Sequence, residues 1–142
     1  MKKEAMEALD RFLEAQSDTY EDAIKEIKAG HKETHWMWWI FPQYKGLGNS
    51  EISQYYAIQH ADEAREYLVH PILGRRLREC MNALLDLKTN DAIEVFGDVD
   101  AQKLKSCLTL FGYSGSTLSV LALNKFFNGE PDDTTLRLLV WE

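Results

Sequence analysis

Residues 71–87 read PILGRRLRECMNALLDL. Within them Leu73, Leu77, Cys80, Met81, Leu84 and Leu85 recur every three or four positions, the period of a helix that buries one face. Pro71 suits the first turn, where a missing amide hydrogen costs nothing. This is the clearest stripe in the chain, and the same period continues on both sides of it. Upstream, Ala5, Met6, Leu9, Phe12 and Leu13 form one amphipathic face. Asp18 followed by Glu21 reads as a capping box that opens a second helix, with Tyr20, Ile24 and Ile27 inward and Gly30 as its stop. Asn49 or Ser50 caps a short helix holding Ile52, Tyr55 and Tyr56, and another occupies 61–69.

Downstream, Thr89 or Asn90 opens a short helix that Gly97 ends, and Leu104, Cys107, Leu108 and Phe111 mark the next. Ser116 or Thr117 caps a helix running to Phe127, with Gly129 as its stop, and PDDTTLRLLVW supplies the last. No stretch alternates polar and apolar residues with β-branched enrichment. The expected class is therefore all-α, a single compact multihelical domain over 1–142 with about seven to nine short helices. A solenoid of helical pairs without sequence self-similarity stays open.

The net charge of −7 opposes long-range attraction to nucleic acid or anionic lipid. There is no apolar run near the roughly 20 residues a membrane span needs, and MKKEAMEALDRFLEAQ has no apolar core of a signal peptide. Two cysteines, Cys80 and Cys107, make no disulfide framework; set among apolar residues, they are expected to be reduced and buried in a cytoplasmic protein.

Few motifs announce chemistry. HKETH places His31 and His35 four apart, but Lys32 stands where a zinc-protease helix needs glutamate, and no cysteine pair has zinc spacing, so no metal is expected. GYSGS (112–116) lacks the second glycine of a nucleophile elbow and precedes a helix, so a turn and a cap are expected. Lys103 or Lys105 would activate Cys107, yet its apolar helix face favours core. KGLGNS is a weak phosphate-loop signal. Arg75, Arg76 and Arg78 cannot all face the core, and one is available to a ligand anion or an acidic neighbour.

The informative stretch is THWMWWIFPQYKGLG (34–48), which holds three of the four tryptophans. Composition alone favours core packing over a pocket wall. Trp36 to Phe41 nevertheless form a run with no polar face, so some rings must cover a neighbouring helix or line a cleft. His35 and Gln43 bracket the run with side chains able to donate and accept hydrogen bonds.

The longer stretch AQSDTYEDAIKEIKAGHKETHWMWWIFPQYKGLGNS around it, followed by YAI, EAREYLVHPILGRRLREC, VFGDVDAQKLKSCLTLF and LNKFFNGEPDDTTLRLL, resembles the bacterial domain-of-unknown-function 1810 family over nearly the whole chain. The resemblance implies a small helical domain but brings no activity. The calpastatin-like label borne by some members finds no inhibitory-repeat pattern here. It places His35, Trp36, Trp38, Pro42, Gln43, Gly46 and Gly48 at motif positions, as it does Tyr56, His70, Pro71, Lys103, Ser106, Thr109 and Phe111. A family that fixes His35, Gln43, Lys103 and Ser106 resembles one with a site, because packing does not require them. A serine is usual at the position of Cys107, which implies that the thiol is dispensable.

The site expected from these readings combines the aromatic walls Trp36 and Trp38 with His35 and Gln43, backbone at Gly46 and Gly48, Ser106, and a cation from Lys103 or from one of Arg75 and Arg76. Such a cleft suits a small anionic or nucleotide-like ligand. His35 is the best candidate for acid or base chemistry, with no reaction or cofactor implied. One alternative is a protein-interaction module using the same aromatic stretch; another is a hydrolase acting on a nucleotide-like substrate.

Overall fold

The computed structural model describes residues 2–142, with side chains from Glu7 onward. Eight helices run through the described residues: α1 (Lys2–Ala29), α2 (Met37–Ile40), α3 (Glu51–Tyr55), α4 (Ala61–Val69), α5 (Leu73–Leu85), α6 (Ala92–Tyr113), α7 (Thr117–Phe127) and α8 (Asp133–Val140). The one extended pairing among them is an isolated parallel bridge between Tyr44 and Ile58. The all-α expectation holds.

Helix α1 corrects the expected break at Asp18. Leu9, Phe12, Gln16, Tyr20, Ala23 and Ile27 are all buried and continue one 3–4 stripe through that point, with no glycine or proline to stop it. Asp18 is exposed mid-helix and Thr19 turns its hydroxyl back to the Ala15 carbonyl, so the apparent capping box is a solvated helix face. The side chains of Ala5 and Met6 lie outside the described residues. Gly30 ends the helix at φ +73°.

The other signals hold with small shifts. Ser50, Ser116 and Asp132 cap α3, α7 and α8, but Asp91, rather than Thr89 or Asn90, caps α6 by accepting from the Ile93 and Glu94 amides. The carbonyl of His70 accepts from Gly74 N and its Nδ1 accepts from the amides of Ile72 and Leu73, so Pro71 stands where no amide hydrogen is needed. Within α6, Gly97 adopts φ 80° and ψ 167°, a conformation nearly confined to glycine, and splits the helix into two arms at the place its sequence suggests.

One contiguous core joins these elements. Helix α5 packs on α1, α4 and α7, and α6 packs on α4, α7 and α8. Gln16 is the polar centre of this core: its Nε2 donates to the Trp39 carbonyl (2.8 Å) and to Tyr67 Oη (3.0 Å). Arg11 and Glu63 form an ion pair at 3.0 Å with side chains only 11% and 7% exposed. Arg11 also donates to the carbonyls of Tyr55 and Ala57, which pins the segment after α3 against α1. No described helix is long and apolar enough to cross a membrane.

Candidate functional site

The aromatic stretch folds as a loop, the single turn of α2 and a second loop, and its three tryptophans part company there. Trp36 is fully buried, packs against Phe41 and Phe96, and donates its indole N–H to Glu26 Oε1 at 3.0 Å. Trp36 is therefore a core residue first, where the sequence reading places it at a ligand. Trp39 donates to Thr19 Oγ1 at 2.8 Å and packs on Tyr56. Trp38 is half-buried, and its indole N–H has no protein partner among the described residues.

Glu26, on the last turns of α1, holds the entry loop. Its carboxylate accepts from the amides of Glu33 and Thr34, the Thr34 hydroxyl and the Trp36 indole. Partial burial alone would raise the carboxyl, but these hydrogen bonds outweigh it and hold the pKa at about 2. The loop leaves His31 and His35 exposed and non-helical, so they do not share the helix face that the HKETH spacing suggests. No group of metal-binding side chains occurs among the described residues.

Trp38 borders three cavities. The largest, about 520 Å³, lies between the 43–47 loop, α6 and the start of α8, and brings together Trp38, Gln43, Gly46, Lys103, Ser106 and Asp132. A second, about 290 Å³, lies on the other side of the loop and shares Trp38, Gln43 and Gly46, adding Gly48, Ser53 and Tyr56. A third, about 260 Å³, holds His35 with Lys32, Trp38, Asp100 and Lys103. Arg75 is exposed on α5 and borders none of the three. Its neighbour Arg76 instead stacks over Tyr20 and donates to Gln16 Oε1.

Gln43 is the centre of this arrangement. Its backbone is fixed by the bridge to Ile58, whose amide donates to the Gln43 carbonyl at 2.8 Å. Its side chain is buried, yet Nε2 is the one fully buried side-chain nitrogen or oxygen among the described residues without a hydrogen-bond partner. Such a group costs about 1–3 kcal/mol. Gly48 closes the rear wall: a Cβ there would meet Ser53 Cβ at 2.7 Å and the Trp38 ring at 3.3 Å.

The cation comes from α6. Lys103 Nζ lies 4.4 Å from the centre of the Trp38 ring and 3.3 Å from Asp100 Oδ1. The other oxygen of Asp100 pairs with Lys32 at 2.9 Å, and Lys32 lies over Trp36 at 4.9 Å. Sequence reasoning missed the pairing of Lys32 with Asp100, since they are far apart in the chain and no spacing links them. Ser106 donates to the Gln102 carbonyl inside α6, so its oxygen faces the cleft already engaged. Asp132 is held by Thr135 and Gln102, and its amide donates to Thr109 Oγ1, which seats α8 on α6. Cys107 is fully buried beside this wall, and desolvation raises its thiol well above the ordinary range, so the core reading of that residue stands.

Fold and cleft together define a small all-helical domain with an open face built from an aromatic loop and a lysine-bearing helix. The chain belongs to the DUF1810 family, proteins of unknown function, whose family model matches residues 6–139. It is similar in structure to the conserved hypothetical protein Rv1873 from Mycobacterium tuberculosis, with a TM-score of 0.91 and 39% identity over 93% of this chain and 96% of that one. No curated protein matches it.

Proposed function

We propose that the chain binds a small anionic, nucleotide-like ligand in the cleft bordered by Trp38, Gln43, Gly46, Lys103 and Ser106. The observation that carries this reading is the unpartnered, buried amide of Gln43 beside an indole whose N–H is also uncommitted. A planar ring with a polar edge would satisfy the amide and stack on Trp38, and Lys103 would balance an anionic group. In this cleft the Ser106 hydroxyl is spent on the Gln102 carbonyl, and His35 borders a different cavity. The interaction-module alternative draws less support, because Trp36 and Phe41 are spent in the core.

We also propose a cytoplasmic setting, in which the two free, buried cysteines stay reduced. The test is a thermal-shift screen of nucleosides, nucleotides, dinucleotides and sugar phosphates on the wild type and Gln43→Leu. A compound that raises the wild-type Tm, and does so far less for the variant, supports the reading. If every compound acts equally on both proteins, or none acts, the reading is lost.

A further inference from the structure

The third cavity has a composition that the cleft does not use. Its border carries two lysines and one histidine against a single carboxylate, Asp100, in a chain of net charge −7. Asp100 lies between the two ammonium groups, 2.9 Å from Lys32 and 3.3 Å from Lys103. One positive charge is therefore left over at this point. Each ammonium also rests over an indole face, Lys32 on Trp36 and Lys103 on Trp38, which fixes its position and limits its hydration. The Lys32 side chain is only 8% exposed, so its charge is screened less than a surface lysine's.

Counting donors sharpens the point. An ammonium has three N–H groups. Lys32 donates one to the Thr34 carbonyl and Lys103 donates none to a protein atom among the described residues, while both stand in ion-pair contact with Asp100. The imidazole of His35 borders the same space and bonds to no protein atom among the described residues. Three side chains thus hold uncommitted donors around one cavity, in an arrangement suited to an oxyanion with several acceptor oxygens.

We infer that Lys32, Lys103 and His35 form a seat for a phosphoryl group, with Asp100 holding the two lysines in place. Lys103 and Trp38 border this cavity and the Gln43 cleft alike, so one molecule can place its phosphate in the seat and its ring against Gln43. For such a spanning ligand the inference rests on the cleft reading; for free phosphate it stands alone.

Calorimetric titration of the full chain with inorganic phosphate, in chloride buffer, tests the seat. Wild type and Gln43→Leu should bind phosphate equally, and Lys32→Met and His35→Ala each at least about tenfold more weakly, the effect of one charge-assisted hydrogen bond. His35→Ala changes an exposed residue and guards against a folding defect in Lys32→Met. Absence of phosphate binding to the wild type overturns the seat, as does undiminished binding to both variants. A nucleoside 5′-monophosphate then separates the sources. Weakening by both Gln43→Leu and Lys32→Met supports one spanning ligand, whereas insensitivity to Lys32→Met overturns that link. Should phosphate bind as expected while bare nucleosides and nucleotides ignore Gln43→Leu, the cleft reading fails and the seat survives.

Discussion

Trp36, Trp38 and Trp39 are close neighbours in sequence, and the fate of each is set by where its N–H goes. Glu26 takes one and Thr19 another, and the third is left to the cleft. Trp36→Ala should therefore cost about 3–5 kcal/mol in urea denaturation, as large aromatic truncations in a core do. Trp38→Ala should shift the midpoint far less while abolishing ligand-induced stabilisation. Equal losses from the two variants would contradict the division of roles. The density of aromatic residues was legible in the sequence, and so was Gln43 as a polar residue embedded in it. Which ring faces outward was not, because α2 is a single turn and too short for a period to define a face. Lys32 was equally hidden: its meaning comes from Asp100, which only the folded chain brings beside it.

The elements show the same division between local and distant causes. Helix stops at Gly30 and Gly97 could be read directly, since each rests on a positive φ that glycine tolerates, whereas α7 turns left-handed one residue before the expected Gly129, at Asn128 with φ 55°. The continuity of α1 could not, because a capping-box pattern and a solvated helix face share one set of residues until the partner surface is known. Gly97→Ala should lower stability by about 1–3 kcal/mol even though no atom lies within 4 Å of the added methyl, since the cost is purely conformational. A variant as stable as wild type in thermal or chemical denaturation would mean that the kink relaxes into continuous helix. The loop between α1 and α2 answers to pH through Glu26. Its folded pKa, about 2, lies below the ordinary 4.5, so its contribution is complete above about pH 4.5 and fades as pH falls toward 2. The Tm gap between wild type and Glu26→Gln should accordingly be widest above pH 4.5 and narrow in acid. A gap that is constant from pH 6 to pH 2 would remove the carboxylate from this role.

At the scale of the whole molecule, α1 is the rod to which both sides of the open face are tied. Near one end Arg11 and Glu63 hold the segment from Tyr55 to Gln59, and near the other Glu26 holds the loop that carries Lys32 and His35. Removing Arg11 leaves Glu63 as a buried, uncompensated charge. Arg11→Met should destabilise the protein by about 3–5 kcal/mol, with the amides of Ala57 to Gln59 losing hydrogen-exchange protection first. Uniform loss of protection across the chain would show that the pair supports global stability rather than this wall. No sequence pattern announces the pair, because its members meet across distant helices and each reads alone as an ordinary surface charge.

Lys103 over the Trp38 ring has an optical consequence. A nearby ammonium perturbs an indole's excited state, so a ligand that draws Lys103 away or shields the ring should alter the emission of that one fluorophore. Trp39, tied to α1 by its own N–H, and Trp141, which borders none of the three cavities, would add a nearly constant background beside it. The protein thus carries a built-in reporter of occupancy at its open face, legible without label or substrate.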